Sequence, residues 1–378
     1  MIKNLKRGVA VLTASLVALC YSTASQAQIR IGQTSGFTGA VSASVNEINQ
    51  GAKLYLDSVN AEGGVNGQQI ELVSLDDKFQ VPLAVENAKK LIADPRVVAL
   101  FLNRGTPHAQ ALLPLLAEGH MPLVAPSTGA MILHTPVSPY VFNVRTTYQR
   151  ESEQVVRHLG MAGLDGVALL YVDDSFGEDA IQGALKVFKE AGKTPTISIK
   201  IDRTKPDYQA AAAKIAQAKP LGILIVGSQA SVADGIRTIR AAGSLATIAT
   251  LSNNAASGFI KALGEYAPGI IVSQVFPSER KMAIPMIATA ARMAKDAKID
   301  HLTPAMIEGF TGAKVLVAGL RRAAKDSKEI TRASLKRALE TFNRVDIGGL
   351  EVSFSPTDHT GLDFADLSII GADGTFRR

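Results

Sequence analysis

Short apolar runs alternate along the chain with segments whose apolar residues recur every three to four positions. Runs of the first kind are typical of buried parallel strands, and segments of the second kind are typical of amphipathic helices. The first run covers residues 29–34. It is followed by Val45, Ile48 and Ala52, which lie on one face of a helix that ends at Gly63. This order predicts consecutive strand–helix units.

The alternation continues to Arg145 and then starts again. In the first block it predicts further strands at residues 70–75, 97–102 and 122–124 and helices at 83–93 and 107–118. In the second block it predicts strands at 166–172, 195–201, 221–226, 247–251 and 269–275 and helices at 148–161, 178–191, 207–218, 230–241 and 255–264. Three helices follow at 283–298, 303–324 and 331–341, and two short strands at 352–354 and 367–370. We therefore predict an α/β protein with two doubly wound parallel-sheet lobes.

Residues 1–27 have the pattern of a secretory signal peptide. Three basic residues precede an apolar run at residues 8–20, and a small-residue cleavage pattern ends at Ala27. The run is shorter than the roughly 20 residues that span a bilayer. A lipid anchor at Cys20 is the weaker alternative, because a bulky residue precedes the cysteine. We predict a periplasmic mature chain that begins near Gln28 and has no stable membrane insertion.

Net charge and cysteine content change once the signal peptide is separated. The 378-residue chain has a formal net charge of +6 and one cysteine. Residues 1–27 hold Lys3, Lys6, Arg7 and Cys20 and no acid, so the remaining chain has a charge of +3 and no cysteine. Such a chain suits an oxidising compartment and excludes a disulfide framework or a cysteine-based zinc site. Because basic residues do not cluster with aromatic ones, we predict no nucleic-acid partner.

The loops after the predicted strands are the candidate ligand-binding segments, because doubly wound sheets bind ligands outside the carboxyl ends of their strands. In the first block, residues 34–39, 103–107 and 126–129 are rich in glycine and hydroxyl groups and lead into helices. Free N–H groups and hydroxyls there suit a small anion such as a carboxylate, and Arg104 offers a bidentate partner. The alternative is ordinary helix capping, with Arg104 on the solvated surface. The second block contributes the loops 173–177, 227–230 and 252–254.

Signals of catalysis are weak. The chain has no nucleophile-elbow, P-loop or dinucleotide-binding motif, and its six histidines lack metal-ligand spacing. Two carboxylate pairs, Asp76 with Asp77 and Asp173 with Asp174, close predicted strands. A doubly wound enzyme that uses these pairs for acid/base chemistry stays open as an alternative. We predict no catalytic activity, no cofactor and no metal.

Seven segments carry a family resemblance. They are residues 31–39, 59–67, 75–77, 122–127, 142–146, 174–177 and 240–243. Together, behind a signal peptide, they resemble the periplasmic solute-binding proteins of ABC importers, of the leucine/isoleucine/valine-binding type. The resemblance implies the type I periplasmic binding fold, a monomer, and a small solute that is presented to an inner-membrane permease by hinge closure. A sensory ligand-binding module is the alternative for the same fold.

The resemblance also implies the domain boundaries. Three crossover strands fall near residues 143–147, 275–278 and 349–354. The N-terminal lobe is then residues 28–145 plus 276–350, and the C-terminal lobe is residues 146–275 plus 351–378.

The resemblance implies that two first-lobe loops hold the carboxylate of the solute and that a second-lobe aromatic residue covers it. The matching residues are Arg104, Gly105, Thr106, Ser127 and Thr128 for the carboxylate and Phe176 for the cover. Gln229 and Asn253 lie in the remaining second-lobe loops, and Phe37 is expected against the apolar part of the solute.

The sequence departs from the family pattern at one position that bears on the ligand. Amino-acid binders place an acid near Ser252 and Asn253 to pair with the α-ammonium group, and this chain has none there. A buried ammonium without a carboxylate costs several kcal/mol. We therefore expect a solute that carries a carboxylate. A branched-chain or other amino acid is the family default, and an aromatic or other organic acid is the alternative.

Overall fold

The computed structural model describes residues 28–327 and 329–378. The predicted signal peptide and Cys20 therefore lie outside the described residues. The described chain forms two large sheets, each flanked by helices, and a two-stranded hairpin. Within these residues, no helix is both long and apolar enough to span a bilayer.

The first sheet has five parallel strands in the order β2-β1-β3-β4-β5. Its strands are β1 (Ile29–Ser35), β2 (Ile70–Asp76), β3 (Val97–Phe101), β4 (Leu123–Val124) and β5 (Val141–Phe142). The helices between them are α1 (Ser42–Ala61), α2 (Val81–Ala93) and α3 (Thr106–Glu118). Every residue of β3 is buried, as expected for a strand covered by helices on both faces.

The second sheet has seven strands in the order β14-β13-β10-β9-β8-β6-β7. The parallel strands are β6 (Val167–Val172), β7 (Ser198–Ile201), β8 (Gly222–Val226), β9 (Thr247–Thr250) and β10 (Ile271–Gln274). The helices of this lobe are α4 (Tyr148–Met161), α5 (Ser175–Glu190), α6 (Tyr208–Ala218), α7 (Gln229–Ala241) and α8 (Ser257–Leu263). Two antiparallel strands, separated from β10 in sequence by the closing segment, complete this sheet.

That closing segment contains α9 (Pro285–Asp296), α10 (Pro304–Asp326), α11 (Arg332–Glu340), β11 (Val345–Asp346) and β12 (Glu351–Val352), and it precedes β13 (Asp366–Ile370) and β14 (Phe376–Arg377). Helix α10 packs against α1 at very short range. A Cβ atom at Gly309 would lie 1.7 Å from the carbonyl oxygen of Ile48, so only glycine permits this approach. The segment thus belongs to the first lobe, whose core includes Phe310 and Leu316.

Each predicted strand and helix has a counterpart, with ends that differ by a few residues. The two-residue strands β5, β11 and β14 were not predicted, whereas β4 and β12, of the same length, coincide with predicted strands.

The predicted C-terminal lobe boundary needs a correction. Val352, Phe354 and Leu362 pack in the core of the first lobe, where Phe354 contacts Phe142 edge-on at 5.4 Å. The chain therefore leaves the first lobe between Leu362 and the start of β13, later than the predicted division at residues 350 and 351. The crossover was predicted too early, at 349–354. Apolar residues in a sequence indicate that a segment is buried, but they do not indicate which of two cores the segment joins.

Candidate ligand-binding site between the lobes

A small, partly enclosed cavity of about 20 Å³ lies between the two lobes. Its wall is formed by residues that follow the carboxyl ends of strands from both sheets, where doubly wound folds bind ligands. They are Val41, Phe79, Arg104, Gly105 and Thr106 from the first lobe and Tyr148, Phe176, Arg203, Ser228 and Asn253 from the second.

Arg104 connects the two lobes at this cavity. Its Nη1 donates to the Ser127 hydroxyl at 2.7 Å, and its Nη2 donates to the backbone carbonyl of Asn253 in the second lobe at 2.8 Å. The residue is 4% exposed. Within the described residues, no carboxylate oxygen lies within the 4.0 Å ion-pair distance of this guanidinium. A buried guanidinium of this kind is suited to an anionic partner.

Hydroxyl groups lie beside and behind Arg104. The hydroxyls of Thr106 and Thr128 are 2.9 Å apart, and Ser127 donates to Glu308 at 2.7 Å. Gly105 has a φ of +99°, and a Cβ there would lie 2.7 Å from His108 Nδ1. The loop therefore requires glycine next to the arginine.

Two groups of aromatic rings form the apolar wall. Phe79 stacks on His108 with ring centroids 4.5 Å apart, and Tyr148 lies 4.7 Å from Phe176. Burial lowers the pKa of His108 to about 4, so its imidazole is neutral at pH 7 and suited to stacking. Arg203 covers the Phe79 ring at 5.5 Å as a cation–π contact.

The second-lobe helix α5 begins at the cavity through a local capping interaction. The Asp174 carboxylate accepts from the backbone N–H groups of Phe176 and Gly177 at 2.9 and 3.3 Å, and it also pairs with Arg203. This cap fixes Phe176 at the first turn of the helix. Asp174 is thus engaged by its own lobe.

Five of the nine predicted site residues line the cavity, and four do not. Arg104, Gly105, Thr106, Phe176 and Asn253 line the cavity. Ser127 and Thr128 lie one layer behind it, where they contact Arg104 and Thr106.

Gln229 and Phe37 occupy other positions. The Gln229 side chain accepts a hydrogen bond at 3.2 Å from the backbone N–H of Ser44, and so joins the lobes rather than facing the cavity. Phe37 is half-buried and is not part of the cavity wall, and the neighbouring Thr38 donates to Asp76. In this arrangement Phe37 does not line the cavity, and its place against the apolar part of the solute stays a prediction.

Three residues that sequence reasoning missed contribute much of the wall. Phe79 takes the first-lobe aromatic position and has a positive φ of 57°, which the sequence does not signal. Arg203 follows β7, whose carboxyl-end loop is not among the predicted ligand-binding loops. Tyr148 is buried at the start of α4, a helix that the sequence predicted without a role in the site.

Neither carboxylate pair lines the cavity. Asp76 accepts from Thr38 and from the backbone of Lys78, and Asp173 pairs with Lys200. Over the two described ranges, no group of three or more His, Cys, Asp or Glu side chains is arranged to hold a metal. The pairs therefore act as local structural contacts.

Asp77 holds Phe79 in place, and its carboxylate should make the free energy of unfolding depend on pH. The buried carboxylate accepts from Phe79 N–H at 2.9 Å and from the Thr34 hydroxyl at 3.0 Å, and burial raises its pKa to about 6. Because its pKa is raised on folding, its contribution to stability is present below pH 4 and is lost as the pH rises through 6. Asp77→Asn should raise the free energy of unfolding at pH 8 by about 1–3 kcal/mol.

Urea denaturation of the wild type and Asp77→Asn at pH 4 and pH 8 measures this effect. The difference between the proteins should be larger at pH 8. An equal difference at both pH values would contradict the prediction. Asp173→Asn, an exposed acid of the other pair, serves as the control.

Interlobe contacts outside the cavity hold the two lobes together. Glu47 of α1 accepts hydrogen bonds from the backbone N–H groups of Ser257 and Gly258 in the second lobe at 3.2 and 3.3 Å. Its carboxylate is anchored in its own lobe by Thr303 at 2.7 Å. The lobes thus contact each other at the start of α8 as well as at Arg104.

Two α/β lobes that close around a cavity at their strand ends define a two-lobe ligand-binding protein. A profile described as periplasmic binding protein matches residues 28–365, and the chain belongs to that family.

Three similar proteins illustrate the relationship. The chain is 24% identical over 332 residues to the Leu/Ile/Val-binding protein BraC3 of Rhizobium johnstonii, covering 85% of this chain and 88% of that protein. It is 27% identical over 211 residues to Leu/Ile/Val-binding protein homolog 2 of Brucella abortus, which covers 53% of this chain and only 56% of that relative. A substrate-binding periplasmic protein from Ralstonia solanacearum superposes with a TM-score of 0.84 at 29% identity, covering 92% of this chain and 99% of that one.

Proposed function

We propose that this protein is the extracytoplasmic solute-binding component of an ABC importer, and that its solute carries a carboxylate group held by Arg104. The observation that carries the proposal is the buried guanidinium of Arg104, which contacts both lobes at the interlobe cavity and has no carboxylate partner among the described residues. A carboxylate at this position would complete the charge pairing and contact both lobes at once.

The cavity wall favours a carboxylate without an ammonium group. None of its residues is acidic, and Asp174, two positions before Phe176, is already engaged by Arg203 and by the N-terminus of α5. An α-ammonium group would have to be buried without a carboxylate partner. Phe79, Tyr148 and Phe176 offer apolar surface for an aromatic or aliphatic body. We therefore favour an aromatic or other organic acid over the leucine, isoleucine or valine that the names of the relatives suggest.

Closure of the lobes is the proposed mechanism. A solute that contacts Arg104 and Phe176 together would stabilise the closed arrangement, in which both residues line one cavity. The closed form would then be recognised by a membrane permease. We expect a periplasmic monomer. Identical small-angle scattering profiles with and without saturating solute would contradict closure.

A role in binding rather than catalysis is supported by the position of the acids. Both carboxylate pairs make local structural contacts, and neither reaches the cavity. We therefore expect the solute to be recovered unchanged. Chromatography of a bound carboxylate after prolonged incubation tests this point, and a changed product would favour the enzyme alternative.

Calorimetric titration tests the choice of solute. The panel contains leucine and valine on one side and benzoate, 3-phenylpropionate and 4-methylpentanoate on the other, so that 4-methylpentanoate is leucine without its amine. We expect binding of at least one carboxylate that lacks an amine, at an affinity above that of leucine. Tight binding of leucine or valine with no binding of the amine-free acids would contradict the proposed solute class.

A further inference from the structure

Behind the cavity, a chain of buried polar groups runs from Arg104 to the first crossover between the lobes. Ser127, Glu308 and Arg145 are 1%, 7% and 1% exposed, and they stand in that order behind Arg104. None of the three lines the cavity. Their contacts determine how the guanidinium of Arg104 is presented.

In this row of buried polar groups, the donor and the acceptor of each hydrogen bond follow from the chemical groups involved. A guanidinium can only donate, so Arg104 Nη1 donates to the Ser127 oxygen at 2.7 Å. A carboxylate can only accept, so the single Ser127 proton is directed to Glu308 Oε1, also at 2.7 Å. With its proton used in this way, Ser127 orients Arg104 and has no proton left for a solute.

Glu308 is held in turn by Arg145. Nη1 of Arg145 lies 3.7 Å from the same Glu308 oxygen, and its Nη2 bonds to Glu151 and to the Ser252 hydroxyl of the second lobe. Although burial alone would lower it, the pKa of Arg145 is raised by Glu151, Tyr148 and Glu308, so the cation persists. Charges of alternating sign therefore stand in a row from Glu151 to Arg104.

We infer that Glu308 is a positioning residue for carboxylate recognition: through the Ser127 hydroxyl it orients the Arg104 guanidinium toward the cavity. This inference rests on the proposed function in taking the anion held by Arg104 to be a solute carboxylate. The role differs from the one that the family resemblance implies for Ser127, which was direct contact with the carboxylate.

Three variants separate the acceptor role of Glu308 from its charge and its volume. Glu308→Gln keeps an acceptor for Ser127 but removes the charge. Glu308→Met keeps a side chain of similar length but removes the acceptor. Ser127→Ala removes the link itself, and urea denaturation establishes that each variant is folded.

The first measurement needs no solute. In ¹⁵N-arginine-labelled protein, the guanidinium signals of Arg104, identified by their loss in Arg104→Lys, should show separate Nη resonances from restricted rotation. We expect these resonances to persist in Glu308→Gln and to merge in Glu308→Met and Ser127→Ala. Resonances that are separate in all variants, or merged already in the wild type, would overturn the inference, whether or not any carboxylate binds.

The second measurement compares benzoate with benzamide by calorimetry. Hydrogen bonds that involve a charged group correspond to about 10- to 100-fold in affinity. Benzoate binding should weaken by this factor in Glu308→Met and Ser127→Ala, while benzamide binding changes little and Glu308→Gln keeps the wild-type ratio. Equal weakening of both ligands in Glu308→Met would mean a merely structural role and overturn the inference. If neither benzoate nor benzamide binds the wild type, benzoate is not a solute of this protein. The guanidinium signals of Arg104 then test the positioning role by themselves.

Discussion

Arg104→Met is expected to weaken binding of the carboxylate solute by about 100-fold or more. The substitution removes two charge-assisted donors in a buried setting, each worth about 1.5–3 kcal/mol, and a change of 1.4 kcal/mol is tenfold in affinity. It also removes the hydrogen bond from Arg104 to the Asn253 carbonyl in the opposite lobe. Calorimetric titration with the tightest-binding acid of the panel measures the effect.

Arg104→Lys distinguishes charge from geometry. Lysine keeps the positive charge but cannot donate to Ser127, to Asn253 and to a carboxylate in the planar arrangement of a guanidinium. We expect it to recover only part of the lost affinity. Arg96→Met, at a largely exposed arginine far from the cavity wall, is the matched control and should bind like the wild type. Wild-type affinity in Arg104→Met would contradict the carboxylate assignment.

Much of the fold was predictable because buried parallel strands have a continuous apolar signature. The run at residues 166–172 predicted a strand buried on both faces, and all six residues of β6 are buried. The lobe to which the C-terminal segment belongs was not predictable in the same way. Val352 and Phe354 are apolar in either assignment, and only their contacts with Phe142 and its neighbours place them in the first core.

The site was predictable where topology alone determines position. Arg104, Thr106 and Asn253 line the cavity because the carboxyl ends of neighbouring parallel strands meet at one edge of a sheet. The choice between Phe37 and Phe79 depends on backbone conformation instead. Phe79 adopts a positive φ, rare for a bulky residue, which the hydrogen bond to Asp77 helps to maintain.

Side-chain partners across long sequence separations were also beyond sequence reasoning. The family resemblance implies direct contact between Ser127 and the solute, and hydroxyls in strand-end loops suit anions. Its proton is instead directed to Glu308, which lies 181 positions away in a helix with no sequence signal of a polar role. Local pattern therefore predicted several of the loops that line the cavity but not the order of the groups behind it.

Gly258→Ala is expected to lower the affinity for every solute by about the same factor, between 10- and 100-fold. A Cβ at Gly258 would lie 2.4 Å from the Cβ of Ala43 across the lobe interface. An overlap of this kind costs about 1–3 kcal/mol, and under the proposed hinge closure it arises only in the closed arrangement. Because neither residue lines the cavity, the preference for amine-free acids over leucine should not change.

The same substitution should slightly raise the free energy of unfolding of the second lobe, although it weakens solute binding. Gly258 is the second residue of helix α8, where alanine is more favourable than glycine by at most the roughly 1 kcal/mol of a helix interior. A variant that unfolds at the same or a higher urea concentration but binds more weakly would therefore identify closure, rather than folding, as the step affected.

Gly160→Ala, at an exposed helical glycine with open space around it, is the matched control and should keep wild-type affinity. Adding Ala43→Gly to Gly258→Ala removes the overlap and should restore binding. If the double variant binds as weakly as Gly258→Ala, or if Gly258→Ala changes the solute preference, contact at this interface does not set the closed state.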